Sequence, residues 1–206
     1  MAANYNNSAW FYDGLARLVY GNALINAQLH LLHYIKPDTR ILIVGGGTGW
    51  ILDELSRIHP SGLKITYVEV AADMMALSKN RNIGSNEVLF INDAIENVNL
   101  SPDFDVVITP FLFDNFTEKT LHIVFAHIHS LLKSGGLWLN ADFQLTDKWW
   151  QQFLLKSMFL FFRVICGIEA SKLPGIAVYF TSNNYKVISE KTFFNDFIVA
   201  KVYMGD

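Results

Sequence analysis

Apolar positions along this chain follow two alternating rhythms. Short runs rich in apolar residues, at Arg40 to Val44, Leu63 to Val68, Val88 to Ile91, Asp105 to Thr109 and Leu137 to Ala141, have the length and continuity of strands covered on both faces. Between them, at Thr48 to Ile58, Ala71 to Asn80 and Thr117 to Leu132, apolar residues recur at three- and four-residue spacing, which predicts helices. Two further helices, Ala9 to Tyr20 and Asn22 to Tyr34, precede Pro37, which ends the helical pattern. The last two runs, Lys186 to Phe194 and Phe197 to Met204, flank Asn195-Asp196 and predict an antiparallel hairpin. Strand and helix in alternation imply an α/β fold, a doubly wound sheet that is mostly parallel, with amino-terminal helices. The 206 residues form one expected domain without repeats or linkers. Its parts are a helical lid (1–36), a ligand-binding core (37–142), a helical cap (143–184) and the carboxy-terminal hairpin (185–206).

The first strand runs into Gly45-Gly46-Gly47-Thr48-Gly49-Trp50, and Glu69 follows Gly49 by 20 positions, at the end of the second strand. A glycine-rich turn lets a ligand approach the backbone, and a carboxylate at the next strand end can accept both hydroxyl protons of a ribose. A dinucleotide fingerprint would need a third glycine where Trp50 stands. A phosphate-binding loop would need a lysine, and none occurs between Lys36 and Lys64. The spacing therefore points to a nucleoside without phosphates.

These blocks resemble the class I S-adenosylmethionine-dependent methyltransferases, whose fold is Rossmann-like. Gly45, Gly47 and Gly49 match the first motif, and Tyr67 to Met75 resembles the second. Asn92-Asp93-Ala94 resembles the third, Phe104 to Pro110 the fourth strand, and Leu131 to Leu137 the approach to the fifth. The resemblance covers roughly residues 40 to 142. It implies S-adenosylmethionine as cofactor, held by Gly45, Gly46, Gly47, Thr48, Gly49, Glu69, Val70, Met74, Asp93, Ala94 and Thr109. Glu69 would hold the ribose, Met74 lie against adenine, and Asp93 accept from the adenine amino group. One position departs from the family: Ile43 stands where an acid is usual, two residues before the first glycine. With the triple glycine, this gives the motif some likeness to aminopropyltransferases that use decarboxylated S-adenosylmethionine. It also leaves room for a protein that binds the cofactor without catalysis.

Charge and composition narrow the acceptor. A net charge of -3, with 16 basic and 19 acidic residues and no basic cluster, gives little attraction for nucleic acid. The single cysteine, Cys166, excludes an internal disulfide, and the amino terminus lacks the basic and apolar segments of a secretion signal, so a cytoplasmic protein is expected. The resemblance implies a small-molecule acceptor, since insertions after the fifth strand commonly shape the acceptor pocket in that family. The apolar segment that follows the fifth strand here makes a largely apolar one the expected partner, and a homodimer is left open.

Two residues are candidates for chemistry on that acceptor. Asp114 is the only acid in the loop Pro110 to Phe116 and could orient or deprotonate a substrate, or else cap the helix that follows. Tyr12, beside Asp13, lies in a segment similar to the lid helix of some small-molecule members, or is simply a packed aromatic. His122 and His129 share a helix face that His127 does not, so no metal site is expected there. The segment Trp149 to Ile165 is apolar nearly all round a helix and calls for burial on more than one side. Lys156 and Arg163 interrupt it, so it falls short of a membrane span. A substrate lid, a subunit contact and an interfacial helix remain its readings.

Overall fold

The computed structural model describes residues 14, 17–166 and 170–206. Seven strands form one sheet: β1 (Arg40–Val44), β2 (Ser61–Val68), β3 (Ser85–Ile91), β4 (Phe104–Pro110), β5 (Leu132–Phe143), β6 (Lys186–Phe193) and β7 (Ile198–Met204). Their order is β3-β2-β1-β4-β5-β7-β6, and β1 pairs in parallel with both β2 and β4. The order therefore reverses between β1 and β4, opening a crevice at the carboxyl ends of these strands where ligands of such sheets bind. β7 is antiparallel to β5 and β6, which is the expected hairpin, with positive φ at Phe194, Asn195 and Asp196.

Among the described residues, beyond a helical stretch at 17–20, the α-helices are α1 (Ala23–Leu32), α2 (Trp50–Ile58), α3 (Ala72–Ser78), α4 (Glu118–Leu131), α5 (Trp149–Cys166) and α6 (Ile176–Ser182). Strand pleating sends alternate β1 residues to opposite faces. Ile41 and Ile43 join a core with α1 and α2, whereas Leu42 and Val44 join one with α4, Trp138 and Phe180. The second core is a stack of rings: Phe125 lies parallel to Trp138 at 4.9 Å, and Phe180 packs edge-on against both at 5.0 Å. Thr109 ties this layer to the sheet. Its hydroxyl accepts from Trp138 Nε1 (2.9 Å) and donates to Asn140 Oδ1 (2.8 Å), so three buried polar groups satisfy one another.

Two features depart most from expectation. β5 begins at Leu132, five residues early, because Leu132 pairs with Phe104 before a register shift through the Gly135-Gly136 turn brings Leu137 opposite Val106. α5 is buried on one side only: Gln151, Leu155 and Phe159 face inward, and Trp149, Phe153, Leu160 and Val164 are exposed. Among the described residues no helix is long and apolar enough to cross a membrane. His127 Nε2 lies 3.0 Å from the Val98 carbonyl and His129 Nδ1 2.8 Å from the Tyr185 hydroxyl, so both rings serve packing.

Two substitutions test these cores by urea denaturation. Phe125→Ala is expected to lower the unfolding free energy by about 3 to 5 kcal/mol, the cost of an emptied aromatic site. Thr109→Val is expected to cost about 1 to 3 kcal/mol, because it leaves buried Trp138 and Asn140 groups without their partner.

Candidate functional site

The turn between β1 and α2 is shaped by what touches each glycine. At Gly49, with φ of 79°, a Cβ would lie 2.5 Å from Ser78 Cβ, so this glycine lets α3 pack directly on the turn. A Cβ on Gly46 would overlap the Tyr67 ring, whose hydroxyl donates to the Gly47 carbonyl at 2.9 Å. Gly47 differs from both. With φ of 64°, its Cβ would meet only Met74 Sδ, at 3.9 Å, so this is where the turn presents bare backbone to an open space. Gly45 and Gly46 are thus small for packing, against Leu112 and Tyr67, and Gly47 is the one with open space beside it.

Glu69 closes the turn from the end of β2. Its Oε2 accepts from Gly47 N (3.0 Å) and its Oε1 from Ala71 N (2.8 Å). The side chain is buried, and burial pushes its pKa up, opposed by hydrogen bonds from the Ala71, Gly47 and Val70 backbone. A carboxylate oxygen has lone pairs beyond the one that each amide takes, so Glu69 can still accept from a diol. Asn92 Nδ2 donates to the Glu69 carbonyl at 2.7 Å and fixes the end of β3 beside it.

Other expected site residues fall around this point. Met74 is buried next to Gly47, and Val70 is partly exposed. Asp93 is exposed, and its Oδ1 accepts from Ala94 N (2.7 Å) and Asn97 Nδ2 (2.9 Å). Those bonds hold its pKa below the usual carboxylate range, so the group is an anion ready to accept. Thr48 is buried, and Arg81 clamps it: Nε donates to the Thr48 carbonyl (2.9 Å) while Nη1 pairs with Asp53 of α2 (3.2 Å). Thr109 needs correction. Its side chain is fully buried in the bonds to Trp138 and Asn140, on the α4 side of the sheet, and serves packing there instead of facing the crevice. Tyr12 and Asp13 lie outside the described residues.

Sequence reasoning missed Tyr67 and Arg81, which hold the turn's carbonyls. Tyr67 shares a strand face with Glu69 through the two-residue period, a signal that was available. Arg81 lies past the end of α3, and no motif marks it.

Asp114 does not cap α4, because Thr117 does so, accepting from Thr120 N at 3.3 Å. It sits instead on a single 3-10 turn (Phe113–Asn115) after β4, buried, with Oδ1 accepting from Asn115 Nδ2 at 2.8 Å. Asn115 also donates to the Phe111 carbonyl (3.0 Å), and Phe111 has an unusual positive φ of 52° for a non-glycine residue. Burial and the neighbouring charge of Asp142, near the end of β5, hold the Asp114 pKa well above its ordinary value. Rings of Tyr20, Phe111, Phe143, Trp150, Phe194 and Phe197 contact one another in a chain on this side. An open apolar hollow of about 380 Å³ continues it, lined by Val19, Trp150, Phe153, Leu154, Phe194 and Asn195.

Residues 41–136 match a family described as a methyltransferase domain. The malonyl-[acyl-carrier protein] O-methyltransferase of Bacillus cereus is 30% identical over 129 residues, 60% of this chain and 46% of that protein. The ubiquinone/menaquinone biosynthesis C-methyltransferase UbiE of Wigglesworthia glossinidia brevipalpis is 30% identical over 146 residues, 68% of this chain and 57% of that protein. The chain thus spans about half the length of these curated relatives. The Burkholderia thailandensis 1,6-didemethyltoxoflavin-N1-methyltransferase, a structure with S-adenosylhomocysteine bound, has the same fold. Its TM-score is 0.66 at 13% identity, covering 95% of this chain and 83% of that one. The glycine turn with buried Glu69 at the switch point, together with the matched core, carries one conclusion: residues 41–136 form a methyltransferase domain of the class I S-adenosylmethionine-dependent kind.

Proposed function

We propose that this chain transfers a methyl group from S-adenosylmethionine to a small, largely apolar acceptor. The observation that carries the reading is Glu69, buried at the end of β2 and bridging Gly47 N and Ala71 N beside the one glycine of the Gly45–Gly49 turn that faces open space. Glu69 takes the ribose hydroxyls, Asp93 the adenine amino group, and Met74, Val70 and Ala94 the faces and edge of the base. The backbone from Gly45 to Gly49 forms the floor, with Thr48 held by Arg81 as its rear wall.

The cofactor supplies a methyl already activated by a sulfonium. What the chain itself must do is align the acceptor and exclude water, since a near-attack geometry lowers the barrier without covalent help. The aromatic chain from Phe111 to Trp150 suits an apolar acceptor body, with α5 as its cap. Ile43 is fully buried among apolar neighbours, so the missing acid is replaced by packing and the methionine end must rely on other groups. A cytoplasmic setting and a non-nucleic acceptor accord with the net charge of -3 and the absence of a basic cluster.

Calorimetric titration with S-adenosylmethionine, S-adenosylhomocysteine and the decarboxylated donor tests this reading. Micromolar binding of the first two is expected, and Glu69→Ala is expected to weaken it by about 1 to 3 kcal/mol, the worth of charged hydrogen bonds. That equals roughly a 5- to 150-fold rise in Kd. Binding of the decarboxylated donor alone would instead support aminopropyl transfer, and no binding would sink the proposal.

A further inference from the structure

Asp142 was not singled out by any motif, yet it is among the most unusual groups in the molecule. It lies one residue before the end of β5, where β5 runs beside β4 and Phe111 N donates to the Ala141 carbonyl at 2.7 Å. Its Oδ1 accepts from Phe143 N at 2.8 Å, but its Oδ2 is buried and has no hydrogen-bond partner among the described residues. The Phe113 amide lies close enough to lower its pKa. A buried carboxylate oxygen left unbonded is costly, and such an atom in a native structure needs an explanation. Asp114 follows Phe113 directly, so two buried carboxyls share the carboxyl-terminal edge of neighbouring strands, and Asp114 lies within electrostatic reach of Tyr20, whose ring meets Phe143 and Phe194 of the aromatic chain.

Two like charges in one dry site cannot both ionise at ordinary pH. Burial pushes Asp142 up to about 7 and Asp114 well above its usual range. The titratable groups that face the pair from packed elements are Tyr20, raised by burial and by Asp114, and Tyr203 of β7, raised by burial, Glu190 and Asp142. Both remain neutral phenols near pH 7.

We propose that Asp114 and Asp142 form a carboxyl pair holding one proton, and that the free oxygen of Asp142 receives the proton of the acceptor's attacking O–H or N–H group. Asp114 acts as the positioning residue, oriented by Asn115. The proposal rests on the methyltransferase reading. In the balanced step the acceptor heteroatom gains the methyl, sulfur keeps the electron pair of the broken C–S bond, and the pair passes from one proton to two before losing one to solvent. The pair is a net anion at neutral pH, so it favours hydroxyl and amine acceptors and repels a carboxylate.

The pair is tested in the cofactor-free protein by carbon-13 NMR titration of the aspartate carboxyls. Wild type is expected to show a coupled titration reaching to about pH 7, absent from Asp142→Asn. Ordinary titration of both groups below about pH 5 would overturn the pair. The stability sign follows from the raised folded values: the contribution is complete below about pH 4 and lost as pH rises through about 7. Asp142→Asn should therefore unfold at a higher temperature than wild type at pH 8 but not at pH 4, and the reverse order would also overturn the pair. The proton-accepting role predicts that Asp142→Asn lowers methyl transfer at least tenfold and removes its dependence on a group titrating near 7, with S-adenosylhomocysteine affinity within twofold of wild type. Methyl transfer to a carboxylate acceptor by wild type would contradict that role. Failure of wild type to bind S-adenosylhomocysteine would count against the methyltransferase reading alone.

Discussion

The site depends on one buried carboxylate. Glu69 binds the amide of Gly47 on one side and that of Ala71 on the other, so a single group joins the turn after β1 to the start of α3. Its burial is unfavourable for a charge, and the two amides offset part of that cost. The glycines around it divide their work between packing and access. Gly49 admits α3 and Gly46 admits Tyr67, which leaves Gly47 as the piece of backbone with open space beside it.

The sheet places this turn and the acid pair on the same edge. Because the strand order reverses between β1 and β4, the loops after β1 and β2 lie on one side of the crevice and those after β4 and β5 on the other. Glu69 and Gly47 therefore lie on one side of the crevice, the proposed nucleoside side, while Asp114, Asp142 and the aromatic chain lie on the other, the proposed acceptor side. The antiparallel hairpin completes the second side by bringing Phe194 and Phe197 against Trp150.

Much of this was legible in the sequence because strands and turns carry short-range signals. The apolar runs located all seven strands, and the spacing of Gly45, Gly47, Gly49, Glu69 and Asp93 marked the turn and the strand ends that meet at the switch point. Thr109 was misplaced because its register position alone does not say which face of β4 it occupies, and the structure turns it toward Trp138. Asp142 was invisible for a related reason. A lone acid on an apolar strand has no pattern, and only the folded chain brings the end of β5 to the Phe113-Asp114 turn after β4. The one-sided burial of α5 was likewise a tertiary outcome, since its apolar residues encircle the helix in sequence but meet partners on a single face.

The most direct test of the central claim is amide hydrogen exchange of the intact chain with and without S-adenosylhomocysteine. The account predicts added protection confined mainly to the Gly45–Gly49 turn, residues 69–71 and the Asp93-Ala94 segment. Unchanged exchange in all three under saturating ligand, or protection located elsewhere, would contradict it.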